Sequence, residues 1–260
     1  MKALISHRHH PAAIFVLLLL GLVTTGALYY LFAPSTAQAA VATADNLPLG
    51  KKLFVANCAT CHGLGGQGSK VGPTLIGLGA AAVDFQVGTG RMPLAGPGVQ
   101  APTGSRVLFT QQEIYAMADY VATFGPGPAI PGSQYTQGNG NIARGSTLFK
   151  VNCAMCHNFA GSGGALSRGK YAPSLRNVTG KHIYEAMLTG PQSMPVFNDQ
   201  NLSPTDKNDI ISYLHEVDRD KNPGGQSLGN LGPVSEGLFI WIFGLGLLIG
   251  VAVWVGRKAA

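Results

Sequence analysis

The chain holds four cysteines, and all of them stand in one arrangement, Cys-x-x-Cys-His, at Cys58, Cys61 and His62 and again at Cys153, Cys156 and His157. Two thiols at this spacing share one helical turn, where they can add to the two vinyl groups of one haem while the adjacent His reaches the iron. A tetrahedral zinc site would draw four ligands from paired Cys-x-x-Cys units and gives no reason for His to follow both second cysteines. A thioredoxin-type pair would need a βαβ context, which this sequence lacks. No cysteine is left over for a structural disulfide. The motifs therefore imply two covalently bound haem c groups, with His62 and His157 as axial ligands.

Haem iron that transfers electrons without binding substrate needs a sixth ligand, and the thioether of Met is a common one that raises the potential. Met92, in Gly90-Arg91-Met92-Pro93, and Met194, in Gln192-Ser193-Met194-Pro195, lie 30 and 37 residues after their histidines in Gly- and Pro-rich loops. A following Pro disfavours helix and holds each Met extended. Met117 and Met187 sit in apolar helical patterns and read as core packing, and Met155, between two haem-linking cysteines, points the wrong way. His182 and His215 would be the candidates for bis-His ligation, but an isolated His on a helix is more often structural or exposed. Pro73 and Pro173 are placed to offer a carbonyl to the second ring nitrogen of His62 and His157.

The elements that position these residues occur twice. Gly50, Phe54, Asn57, Cys58, Cys61 and His62 match Gly145, Phe149, Asn152, Cys153, Cys156 and His157, each 95 residues further on. Two homologous domains follow from that. Each half closes with a helix that has legible start signals, a Thr110–Glu113 capping box and Pro204 at a first helical position after Ser203. Apolar residues then recur at helical spacing, Ile114, Met117, Ala118 and Val121 in one half and Ile210, Ile211, Leu214 and Val217 in the other. Tyr120 and Tyr213 are placed to pack near Gly50/Phe54 and Gly145/Phe149, where two helices would cross. Strand signals are weak. The expected fold is mainly α, with domain 1 over 45–127, a Gly/Pro-rich linker over 128–141 and domain 2 over 142–222.

Two apolar runs flank these domains. Residues 1–40 contain an uncharged stretch from Pro11 to Ala33, long enough to span a bilayer as a helix, preceded by Lys2 and Arg8. Because Ala37-Gln38-Ala39 follows it, the segment reads either as a retained anchor or as a cleaved signal peptide. Residues 234–258 read as a transmembrane helix with Trp241 and Trp254 near its ends and Arg257-Lys258 beyond. Both charge flanks put the chain ends in the cytoplasm and the haem domains on the outer face of a bacterial membrane. The formal charge of +6 is no nucleic-acid footprint. Between Asp45 and Lys221 there are 14 basic against 11 acidic residues, an excess that about four haem propionate charges would cancel.

Gly-x-x-x-Phe, CxxCH, a later Pro, Met-Pro and a closing helix with Tyr make each half resemble a class I cytochrome c. Two such halves and one C-terminal membrane helix resemble the dihaem cytochrome cc subunit of the actinobacterial cytochrome bcc menaquinol-oxidising complex. The resemblance runs from about Leu49 onward, and its selective stretches are Asp84–Pro93, Ser167–Leu175, Met187–Pro195 and Gly232–Trp241. It implies an electron-transfer subunit of a proton-translocating quinol–cytochrome c reductase, with no substrate chemistry of its own. In that family menaquinol is oxidised at cytochrome b, and a Rieske iron–sulfur protein passes one electron to the first haem domain. The second domain delivers it to a haem–copper oxidase. Two other readings stand beside this one: a tethered dihaem shuttle outside any quinol-oxidising complex, and a dihaem enzyme such as a peroxidase, which Met-Pro in both halves disfavours.

Overall fold

The computed structural model describes residues 11–32, 46–104, 106–219 and 233–258. Lys2, Arg8 and the Ala37-Gln38-Ala39 site lie outside the described residues.

In the N-terminal unit the described residues form one helix, α1 (Pro11–Phe32). Its 18-residue stretch Ala12–Tyr29 is long and apolar enough to cross a membrane. The hydroxyls of Thr24 and Thr25 donate to the carbonyls of Leu20 and Gly21 at 2.8 and 2.7 Å. Such back-bonding satisfies a hydroxyl within its own helix, which is what a lipid environment demands.

In the second unit, α2 (Leu47–Asn57) leads into the short α3 (Ala59–His62), followed by α4 (Ala80–Gly88) and α5 (Gln111–Ala122). The pattern then repeats: α6 (Ile142–Asn152), α7 (Ala154–His157), α8 (Gly180–Thr189) and α9 (Pro204–Arg219). Among the described residues the only sheet pairs β1 (Gly164–Ala165) with β2 (Tyr171–Ala172), antiparallel. The C-terminal segment runs α10 (Pro233–Phe239), a π-helical stretch (Ile240–Leu245) and α11 (Gly246–Lys258), with a span-length apolar window over Glu236–Arg257.

Each domain is organised by one helix crossing. α2 crosses α5, and α6 crosses α9. A Cβ on Gly50 would fall inside the carbonyl of Ala116, and one on Gly145 inside the carbonyl of Asp209. Only glycine lets the backbones approach so closely. One turn further on, Phe54 meets Tyr120 with ring centroids 5.4 Å apart, and Phe149 meets Tyr213 at 5.5 Å. Both phenylalanines are wholly buried. The first core gathers Phe54, Leu75, Val83, Ile114, Met117 and Val121, the second Phe149, Ile183, Tyr184, Met187, Ile210 and Leu214.

The closing helices start as their sequences dictate. The Thr110 side chain accepts from Glu113 N–H while the Glu113 carboxylate accepts from Thr110 N–H at 2.8 Å. Asp206 plays the Glu part at α9, accepting from Ser203 N–H at 2.9 Å.

The 128–141 segment, expected as a linker from its turn chemistry, is tied to both domains. Pro128 O accepts from Ala81 N–H at 3.1 Å, and Ile130 packs against the first core. Gly138, Gly140 and Asn141 N–H groups donate to Asn208, Ser212 and Asp209 on α9 at 3.1, 2.7 and 2.7 Å. Its missing apolar periodicity reflects backbone-to-side-chain bonding, which leaves no periodic trace.

Candidate functional site

Each Cys-x-x-Cys-His segment begins at the end of one helix and makes up the short helix that follows, α3 or α7. Cys58 O accepts from both Cys61 N–H and His62 N–H at 3.1 and 2.9 Å, and Cys153 O accepts from Cys156 and His157 at the same distances. Both thiols of a pair therefore rise from a single turn. None of the four cysteines is in a disulfide. Burial, with the neighbouring cysteine adding to it, pushes Cys58 up to about 11 and Cys153 up to about 12. Reactive thiolate cysteines are shifted the other way, so these pairs do not resemble a redox-exchange site.

The two histidines are held alike. His62 Nδ1 lies 2.8 Å from Pro73 O, and His157 Nδ1 lies 3.0 Å from Pro173 O. A carbonyl only accepts, so the proton sits on Nδ1 and Nε2 keeps its lone pair for a metal. Burial lowers the pKa of His157 against the opposing pull of the Pro173 carbonyl, which favours the neutral, ligating imidazole.

In the second domain the expected residues meet. Cys153, Cys156, His157 and Met194 line one cleft whose walls are largely apolar, with Leu175, Ile183 and Phe197 among them. The Met194 loop is pinned from both sides. Phe197 N–H donates to Met187 O at 2.7 Å, and the wholly buried Lys207 Nζ reaches Asp199 at 2.6 Å and Leu202 O at 2.7 Å. In the first domain, Cys58 and Met92 pack against the Phe54 core, while His62 is half-buried and Cys61 exposed on the turn beyond. Met117 and Met187 are buried in the two cores, although Met187 also lines the second cleft. Met155 is exposed. His182 lies between the domains, its ring 6.2 Å from that of Phe85 and edge-on to it.

The paired thiols, carbonyl-held imidazoles, methionines in pinned loops and apolar cleft fit haem chemistry. The set lacks the four converging ligands of structural zinc.

The seam between the domains is the part that sequence reasoning missed. α4 packs on α8. Asp84, wholly buried, pairs with Lys181 Nζ at 2.5 Å and accepts from Gln111 Nε2 at 2.8 Å. Glu185 is also wholly buried, and its carboxyl group lies within 4.8 Å of Asp84 and His182. Burial and the Asp84 charge push Glu185 up to about 10. Burial opposes ionisation of Asp84, but bonds from Glu185, Lys181 and Gln111 outweigh it and hold that carboxyl below its ordinary value. Glu185 is thus a neutral acid beside a carboxylate. The lone charge of Asp84 in the apolar run Ala80–Gly88 was the one sequence signal for this cluster.

The Met-bearing loops are joined as well. Gln100 Nε2 donates to Tyr171 O at 2.8 Å and Tyr171 N–H donates back to Gln100 Oε1 at 2.9 Å. Gln192 and Ala101 exchange a second pair at 2.8 and 3.2 Å.

Comparison with known proteins agrees with this geometry. Residues 48–125 match the family model for cytochrome c, and residues 140–214 match that for cbb3-type cytochrome c oxidase subunit III. The cytochrome bc1 complex cytochrome c subunit of Mycobacterium leprae is 46% identical over 254 residues, covering 94% of this chain and 87% of that protein. The chain belongs to the cytochrome bc1 complex cytochrome c subunits. The same-named subunit of Corynebacterium diphtheriae is 42% identical, with 93% of this chain and 92% of that protein covered. A more distant likeness, 34% over 135 residues, is to the cbb3-type cytochrome c oxidase subunit CcoP of an Azospirillum species, with 46% of this chain and 42% of that protein covered. As a member of this bc1 complex family, the chain is an electron-transport subunit with two cytochrome c domains and two candidate membrane helices.

Proposed function

We propose that each Cys-x-x-Cys-His turn carries one covalently attached haem c. Cys58 and Cys61 are the thioether donors and His62 and Met92 the iron ligands in the first domain; Cys153, Cys156, His157 and Met194 take these roles in the second. Bound there, each haem supplies a one-electron couple at its iron. Pro73 and Pro173 keep the Nδ1 proton in place, which would leave Nε2 of each His free for the iron. Met92 and Met194 would hold each haem iron from their loops, so that neither iron would keep a position for peroxide or another substrate. The apolar lining of the second cleft excludes water, and access of water is one of the levers on a haem potential.

The chain passes electrons from its first domain to its second. Supporting a direct relay between the domains is the wall of the second cleft, which contains Arg91 and Gln100 from the Met92 loop of the first domain, so the two ligand loops share one seam; the direction itself comes from the family resemblance. By kinship with bc1 complex subunits, the electrons come from menaquinol oxidised at a cytochrome b subunit and arrive through a Rieske iron–sulfur subunit. They leave to a haem–copper oxidase. Arg257 and Lys258 beyond the C-terminal apolar segment favour a cytoplasmic C-terminus, and with it both domains on the outer face.

Intact-mass measurement with pyridine haemochrome counting tests the cofactor assignment. Two haems are expected on the wild-type chain and one on each of the C58A/C61A and C153A/C156A variants. A wild-type chain that carries one haem or none would refute it.

A further inference from the structure

Arg91 stands on the seam. It follows α4 in the Met92 loop, and its backbone N–H donates to Gln86 O at 2.9 Å. The residue is 9% exposed, with the guanidinium carbon 4.7 Å over the Phe85 ring. A guanidinium keeps its charge in a protein, and a buried charge is costly unless an anion meets it. Among the described residues no carboxylate forms an ion pair with Arg91. Asp84, the acid on the preceding helix, is already engaged by Lys181.

What Arg91 does face is the cleft of the second domain. Among the described residues lining that cleft, it alone carries a permanent charge. The first domain contributes Phe85, Thr89, Arg91, Gln100 and Thr103 to the lining, and all but Phe85 are polar. A haem fixed by its vinyl edge to Cys153 and Cys156 has two propionate carboxylates on the opposite edge. A cation without a carboxylate partner, buried in a polar wall, complements them in charge and in hydrogen-bonding geometry.

We propose that Arg91 binds a propionate of the second domain's haem, so that the first domain completes the haem site of the second. The proposal rests on the reading that Cys153, Cys156 and His157 hold that haem. Two consecutive residues then serve two cofactors, with Met92 on the first iron and Arg91 on the second haem's carboxylate. The cation also favours the reduced iron, which carries one positive charge fewer, and so raises the potential of the second haem.

The test is a redox titration of the full haem-loaded chain in its native complex, as wild type, R91Q and R91K, with haems counted in each sample. The second haem is identified as the one missing from C153A/C156A. R91Q is expected to keep both haems and to shift the second haem about tenfold toward oxidation, ~59 mV for one electron. It should also give that haem's potential a pH dependence between about pH 5 and pH 8, as its propionate loses the cation that keeps it ionised. R91K, which keeps the charge, should recover most of the shift. With both haems present, an unchanged second potential and pH profile in R91Q would overturn the proposal. A wild-type chain lacking the second haem would instead overturn the attachment it rests on. If R91Q fails to hold its haems, infrared redox-difference spectra of wild type and R91K decide: a shifted propionate band supports the pairing, and identical bands refute it.

Discussion

Gln100 and Tyr171, 71 residues apart, exchange two hydrogen bonds of 2.8 and 2.9 Å across the domain seam. The side-chain amide of Gln100 thereby acts toward β2 as an added strand residue would. With Gln192 and Ala101 making a second such pair, the loops that carry Met92 and Met194 are bound directly to each other.

If this clasp holds the loops together, Q100A/Q192A should loosen the seam without removing haem. Each exposed bond contributes roughly 0.5–1.5 kcal/mol at most. Hydrogen exchange at the Ala101 and Tyr171 amides should become faster while haem content stays constant. Unchanged protection at both amides would show that packing between α4 and α8 alone sets the spacing.

Met194→Ala removes the proposed sixth ligand of the second iron but none of the thioether donors. Haem should stay attached, and that centre's reduction equilibrium should fall by at least roughly tenfold, ~59 mV. A redox titration with an unchanged second potential would exclude Met194 as ligand and turn attention to Met187, which lines the same cleft.

Glu185 makes stability depend on pH. Burial beside Asp84 pushes its carboxyl group up to about 10, from an ordinary value of 4.5. Between those values the folded state holds a proton that the unfolded state has lost, so stability falls as pH rises. The slope is at most about 1.4 kcal/mol per pH unit. Glu185→Gln has no such proton, and thermal unfolding should find it more stable than wild type at about pH 9 and close to it near pH 5. Parallel profiles for the two proteins would mean that Glu185 is ionised in the fold.

Gly145→Ala drives a methyl group into the Asp209 carbonyl where α6 crosses α9. The ~1 kcal/mol by which Ala exceeds Gly in helix propensity does not offset overpacking of about 1–3 kcal/mol or more. Denaturation should show a net loss, with the second haem released before the first. A neutral effect would imply that the crossing can widen freely.

What was legible in the sequence was mostly local or repeated. Gly50/Phe54 and Gly145/Phe149 were readable because the same crossing is built twice, and a repeat separates scaffold from chance. The Thr110 cap and the Pro204 start lie within one turn of what they stabilise. The Pro73 and Pro173 carbonyls could be placed because each lies in the loop that follows its motif, 11 and 16 residues after the His.

The seam was not legible. Glu185 sits within the helical pattern of α8, on a side that an isolated amphipathic helix would turn to water; only the arrival of α4 buries it. Gln100 and Gln192 are polar residues in loops, and nothing within ten residues of either shows that their partners lie 71 and 91 positions away. Arg91 lies in a selective stretch, yet nothing near it in sequence shows that it faces the cleft of the second domain. In 128–141, likewise, the Gly and Pro content gives no sign of three bonds to α9.

The most direct measurement is affinity purification of the tagged chain from its own membranes in mild detergent, with haem spectra and mass spectrometry of everything that accompanies it. Two c-type haems together with a cytochrome b, a Rieske protein and haem–copper oxidase subunits are expected. A chain that emerges alone with both haems would contradict the relay and leave a tethered shuttle in its place.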